Sequence, residues 1–362
     1  MSTQKFQEWG VEQIKKSGPI RLSNAMSNAL IHPDFGYYHS QDIIGKKGDF
    51  ITAPEISQMF GELIAAFLGF IWDQSGRPSN ALLCELGPGR GTLSADIHSA
   101  LHQIYPDFAD APLHLIEASQ TLQEHQKATL IHPSIDWHDS FTQIPPQPSF
   151  IIANEFFDAL GVDQAIFDGV QWRWRLLDFT TQFELVTGPV LNQSEFDAFN
   201  CISVSNPTKG TVIESSLKSE EVTCDIAHHI KNYGGACLII DYGKNNPIGD
   251  TIQAVSSHKP VEPWSSAGNA DISHWVDFSA IKRLTEKSGA RFIGPVSQSH
   301  FLSQIGIKQR AERLAKSDNP EHNRALFAAV DRLISPAHMG NLFQVGLIVP
   351  TGKGLPPGFQ PD

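Results

Sequence analysis

The stretch "LCELGPGRGT", Leu83–Thr92, constrains this chain more than any other, because glycines at 87, 89 and 91 sit where an apolar run gives way to a helical pattern. Three glycines at alternate positions make a tight turn whose backbone a ligand can approach closely. Around this turn the pattern alternates. Apolar "ALLCEL" (81–86), "LHLIEA" (113–118) and "SFIIAN" (149–154) are separated by helix-like "LSADIHSALHQIY" (93–105) and "LQEHQKATLI" (122–131). Strands alternating with helices predict βαβ units and a parallel sheet covered on both faces.

The remainder of the chain divides around that core. Residues 1–80 read as helices and loops, with one amphipathic helix through "APEISQMFGELIAAFLGFIWDQS". The core's first half is expected at 81–160. Shorter two-periodic pieces at 161–216, such as "QAIFDG", "QWRWRLLDF" and "TVIESS", predict a β-rich insertion serving a substrate or partner. Residues 217–350 are expected to complete the core: a helix near 217–232, the strand "GACLIIDYG", a mostly helical stretch at 277–334 and a closing strand "FQVGLIVP". Residues 351–362 read as a flexible Pro/Gly tail.

The formal charge of −12 over 362 residues disfavours a nucleic-acid or anionic-membrane binder, which needs clustered Lys and Arg. No run approaches the ~18 apolar residues of a membrane span. Cys84, Cys201, Cys224 and Cys237 form no C-x-x-C pair and read as small core residues in a reducing compartment. The first 18 residues lack the pattern of a secretory or transit peptide, so a soluble cytoplasmic protein is expected. No metal site is expected: His228 and His229 are adjacent and face different sides of a helix.

The loop's spacing selects its ligand. A dinucleotide loop needs G-x-G-x-x-G, but position 92 is Thr, and a P-loop needs a Lys that this segment lacks. An acid ending the strand before G-x-G-x-G is instead the pattern for S-adenosyl-L-methionine (SAM). Glu85 is suited to the donor's ammonium, while Gly87, Pro88, Gly89, Gly91 and Thr92 pass under its methionine portion at a helix N-terminus. Glu117 ends the second strand, where an acid accepts both ribose hydroxyls. Asp139 and Ser140 fall near the expected adenine. The plainer reading is a tight turn flanked by surface glutamates.

At the fourth strand's end "IIANEFFDAL" sets Asn154, Glu155 and Asp158 beside the expected methyl group. Nucleic-acid amino methyltransferases carry Asn/Asp-Pro-Pro-Tyr/Phe there. Here the prolines are missing and a carboxylate follows the Asn, which suits a planar cation such as guanidinium. Glu155 as a helix cap and Asp158 as a solvated side chain is the structural alternative. Phe156 and Phe157 read as packing. Asp241, Tyr242, Gly243 and Asp277 read equally as site residues or as turns and caps.

Together with "HPDFGYYHS", "IGKKGDFITAPEISQMFGELIA", "GDTIQAV", "ADISHWVDF" and "MGNLFQVG", these segments resemble the MidA-type SAM-dependent methyltransferases. That family includes the mitochondrial complex I assembly-factor arginine methyltransferase and bacterial homologues. The resemblance implies a Rossmann-like, seven-stranded class I methyltransferase fold with an N-terminal helical region and a β-rich insertion. It implies methylation of a protein arginine, a respiratory-complex subunit as one candidate acceptor, and a wall over SAM from Thr52, Pro54, Glu55, Ser57 and Gln58. Thr52 and Glu55 also read as a T-x-x-E capping box. "ALGVDQAIF" and "VEPWSSAGNADIS" depart from the family pattern and leave the acceptor open.

Two rivals remain at this stage: a SAM-binding assembly factor with little turnover, and a small-molecule methyltransferase. Trp172, Arg173, Trp174 and Arg175 alternate on one predicted strand and suggest a partner surface, or equally one packed and one solvated face. Oligomeric state is left open, a homodimer included.

Overall fold

The computed structural model describes residues 2–39, 52–199, 204–316 and 318–361. Residues 44–51 of the second family motif, and Cys201, lie outside them. The core sheet is built from β1 (Leu82–Leu86), β2 (Leu113–Ile116), β3 (Ile135–His138), β4 (Ser149–Asn154), β5 (Gly235–Lys244), β6 (Arg291–Ser297) and β7 (Phe343–Val349). Their order is β3-β2-β1-β4-β5-β7-β6. Neighbours are parallel except that β7 runs antiparallel to β5 and β6. Val276–Asp277 extends the sheet beside the end of β5.

Alternation along these strands feeds two cores. Leu83, Leu115, Ile152 and Leu238 pack on one face with helices α2 (Gln58–Gln74) and α3 (Thr92–Ile104). Cys84, Ile151, Cys237 and Ile239 pack on the other with α5 (Leu217–Tyr233) and α6 (Phe278–Lys287). All five residues of β1 are buried. At about 1.5–3 kcal/mol per buried Leu or Ile, this strand is fixed in register, and so is the loop that leaves it. Helix α4 (Gln120–Thr129) connects β2 to β3.

A second, wholly antiparallel sheet joins Asp163–Phe167, Trp172–Phe179, Phe183–Val190 and Val212–Ser215 to Ile20–Arg21 from the N-terminal region. Just beyond that short strand, helix α1 (Leu22–Ile31) packs into a third core with Leu177 and Ile272. The Trp-Arg strand is occupied within the chain. Arg173 pairs with Asp168 at 2.5 Å and Arg175 with Asp250 at 2.7 Å, while Trp174 is buried and Arg21 stacks over it.

Three expectations change. The helix predicted from Ala53 is broken at Ser57, whose extended backbone and side-chain acceptance from the Met59 N–H start α2 afresh after a short turn, Ala53–Ile56. Thr52 makes no side-chain cap, so the T-x-x-E capping box does not form. Strand β6 lies inside the stretch expected to be mostly helical. Its Gly294-Pro295 pair suits an edge strand with a register shift, which is where β6 lies. A small three-stranded sheet, Gln253–Ser256, Lys259–Val261 and Asp271–Ser273, was also not anticipated.

Candidate active site

The loop leaving β1 is left-handed at all three glycines, with φ +64° at Gly87, +53° at Gly89 and +81° at Gly91. An L side chain is strained in that region, which explains the alternate spacing. A Cβ at Gly89 would stand in open space. Gly91 instead backs onto Leu130 and N-caps α3. Glu85 is buried on β1, with the Ser94 hydroxyl of α3 donating to its carboxylate. Burial is the main influence on Glu85 and lifts it to about 7.

Glu117 follows β2 and is also buried. One carboxylate oxygen accepts the Ser119 N–H at 2.8 Å; the other has Gln126 Nε2 at 3.4 Å. Gln126 also donates to the Gly89 carbonyl at 2.7 Å, tying the second strand's acid to the glycine loop. Burial outweighs these donors and raises Glu117 to about 7. After β3, the Gln143 side chain accepts the N–H groups of Asp139 and Ser140, and Ser140 caps the following turn.

Beyond β4 the backbone turns sharply at Glu155, which has φ +51°, a rare conformation for a residue with a long side chain. What holds it is Asp241 at the end of β5. Asp241 is fully buried, and its Oδ2 accepts the N–H groups of Phe156, Phe157 and Asp158 at 3.2, 2.8 and 3.4 Å. The Glu155 carboxylate in turn accepts from the Ala53 N–H and from Asn154 Nδ2, both at 3.3 Å. Burial first, then the charge of Asp241, raises Glu155 to about 7. Burial and the charges of Asp241, Glu155 and Asp271 push Asp158 well above the usual carboxylate range.

These groups meet in one cavity of about 700 Å3. Thr52, Pro54, Glu85, Gly87, Pro88, Gly89, Thr92, Glu117, Asp139, Ser140, Asn154, Glu155 and Asp158 line it. Of the sequence-predicted residues, Gly91, Ser57 and Gln58 stand outside the lining: Gly91 and Ser57 cap helices, and Gln58 is the first residue of α2. Asp277 caps α6 through the Ser279 N–H. Phe157 is fully buried, while Phe156 lines the cavity.

Sequence reasoning missed Tyr38, Asp271 and the Glu55–Arg90 pair. The Tyr38 hydroxyl donates to Asp271 at 3.0 Å at the cavity wall. Glu55 pairs with Arg90 of the glycine loop at 2.9 Å. The turn at Ala53–Ile56 therefore touches both the loop and Glu155. Tyr38 and Asp271 fall within quoted motifs, but they lie 233 positions apart and nothing local signals their pairing.

The strand order, the glycine loop at the carboxyl end of β1 and the acids ending β1 and β2 define a Rossmann-like class I methyltransferase. Residues 63–296 match the family described as "Putative S-adenosyl-L-methionine-dependent methyltransferase". The chain is 33% identical to the Drosophila melanogaster protein arginine methyltransferase NDUFAF7 homolog, mitochondrial, over 92% of this chain and 82% of that one. It is also 33% identical to its Rattus norvegicus counterpart, over 93% and 83%. Two Burkholderia thailandensis crystal structures superpose with TM-scores of 0.85 at 24% and 25% identity, covering 99% of this chain and 95% of theirs, one bound to S-adenosyl-homocysteine. The chain belongs to this family of SAM-dependent methyltransferases, and SAM is its methyl donor.

The residues fit that donor. Among the described residues, Asn154 Oδ1 is buried without a hydrogen-bond partner. The open space at Gly89 and the three buried glutamates at Glu85, Glu117 and Glu155 match a ligand that carries a sulfonium, an ammonium and a ribose diol. Among the described residues no helix is long and apolar enough to cross a membrane.

Proposed function

We propose that this enzyme methylates a guanidinium nitrogen of an arginine in a protein. The observation that carries the reading is the charge of the cavity, which nine carboxylates and only two cations, Arg90 and Lys218, line. Both cations are already paired, with Glu55 and Glu221. A cavity of this kind attracts a cationic acceptor, and the printed names of the relatives, protein arginine methyltransferases, agree with it.

SAM supplies a methyl group already activated on sulfur. The chain's own task is to align the acceptor at ~3 Å and exclude water. Glu155, fixed by its backbone turn, would pair bidentately with the guanidinium and draw its positive charge to one side. Asn154 Oδ1 would accept a second N–H. Asp158 would take the proton that the methylated nitrogen releases, a role its raised proton affinity suits. Glu117 would hold the ribose hydroxyls, Glu85 the donor's ammonium, and Asp139 with Ser140 the adenine side.

The family resemblance extends this reading to a respiratory-complex subunit as acceptor. The free thiols of Cys84, Cys224 and Cys237 support a reducing compartment such as the bacterial cytoplasm, although the relatives are named mitochondrial. The test is to titrate wild type and Gly89→Val with SAM by calorimetry, then to incubate the wild type with methyl-labelled SAM and a cell extract. Donor binding lost in the variant, with label recovered as methylarginine, is the expected result. Label on lysine or on a small molecule only would overturn the arginine assignment.

A further inference from the structure

A second cluster of chemistry-bearing side chains lies away from the cavity, on the exposed side of α3. His98 and His102 are four residues apart and so share one helix face. Their Nε2 atoms are 3.0 Å apart. Asp110, in the turn between the helix Pro106–Ala109 and β2, brings Oδ1 to 3.5 Å from His102 Nε2. One ligand atom from each of the three residues lies within 4.8 Å of the others.

Two imidazoles and a carboxylate around one point are a borderline-soft donor set. Metal–ligand distances of about 2.0–2.2 Å for nitrogen and oxygen in a tetrahedral arrangement require donors about 3.3 Å apart. The separations of 3.0 and 3.5 Å bracket that value. His132 packs beside His98 with ring centroids 4.4 Å apart, and its Nδ1 accepts the Ser134 N–H, which assigns it to supporting the His98 ring rather than to ligation. Burial, then the neighbouring His132 and His102, lowers His98 to about 4, keeping it in the neutral form a metal requires.

We propose that His98, His102 and Asp110 form a site for a divalent transition-metal ion of zinc type, separate from the methyl-transfer cavity. The spacing H-x-x-x-H stands in the sequence at 98 and 102 and was passed over because attention fell on the adjacent pair at 228 and 229. None of the three ligands lines the cavity. With 1.5 Å rise per residue, His98 and His102 stand about 9 and 15 Å along α3 from Thr92. The ion would fasten the distal half of α3 to the turn leading into β2. Two neutral imidazoles and one carboxylate leave a divalent ion with one net positive charge and an open position for water.

Untagged protein is titrated with zinc chloride alone, and cobalt(II) is added in parallel to read its visible ligand-field band. One ion per chain is expected. The His98→Ala/His102→Ala double variant should lose saturable binding, and Asp110→Asn should weaken it about tenfold. SAM affinity should be the same for wild type and Asp110→Asn. A readout on unaltered protein guards against a variant that fails to fold: zinc should protect His98 and His102 from diethylpyrocarbonate, with exposed His338 modified as before. No saturable binding in the wild type, undiminished binding in a folded double variant, or no protection of the two rings would each overturn the proposal.

Discussion

The buried carboxylate of Asp241 accepts the Phe157 backbone N–H at 2.8 Å. Through that bond and its two neighbours, the end of β5 sets the conformation of the loop after β4. Asp241 is therefore a positioning residue. Asp241→Ala should lower stability by about 2–4 kcal/mol, because it strands buried N–H groups that an ionisable acceptor now satisfies. Urea unfolding measures this. In the folded fraction kcat should fall while the SAM dissociation constant changes little. Asp241→Asn, which retains an acceptor oxygen, should restore most of the stability.

Glu155→Gln keeps the side chain's shape and removes its charge. On the proposed role, kcat falls about 100- to 1,000-fold, the scale of one preorganised electrostatic contact to the reacting group. SAM affinity stays within about threefold, since only a contact made in the transition state is lost. Steady-state rates beside a donor titration decide it. Unchanged turnover would remove Glu155 from the mechanism.

Glu117→Ala should act on the other half of the site. Losing charge-assisted hydrogen bonds to two hydroxyls costs about 1.5–3 kcal/mol, equivalent to about 10- to 100-fold in donor affinity. The saturated rate should be nearly unchanged. Calorimetry with S-adenosyl-homocysteine reads the affinity without turnover.

The pH dependence follows from Glu85, Glu117 and Glu155, each raised by burial from the usual 4.5 to about 7. A folded-state value above the unfolded one means that the native state holds more protons between pH 4.5 and about 7. These groups' contribution to stability is complete below that window and is lost as pH rises through about 7. The melting temperature of the ligand-free protein should therefore fall across the window. A cationic donor favours the ionised carboxylates, so binding at a pH of about 6 should release protons. Calorimetry in two buffers of different ionisation enthalpy counts them, and net uptake would contradict the assignment.

Much of the donor half was readable because its information is local. Glu85, the three glycines and Thr92 are contiguous, and burial on both faces makes β1 an unbroken apolar run. The acceptor half depends on long-range contacts. Asp241 reaches Phe157 across 84 positions, and Ala53 reaches Glu155 across 102. Asp241 was legible as a third acid ending a strand, though its partners were not. Strand β6 was hidden by its own Gly-Pro pair, which resembles a turn when the edge position is unknown. The partner-surface expectation for Arg173 and Arg175 weakened because their carboxylate partners lie outside their own strand.

The turn at Ala53–Ile56 grips Arg90 through Glu55 and Glu155 through the Ala53 amide. A single short segment is thus shared between the part of the molecule that recognises the donor and the part assigned to the acceptor. Inheritance cannot treat the two as independent modules. A substitution in this turn that retunes one specificity is felt by the other, so changes of acceptor along this lineage should arrive paired with compensating changes around Arg90.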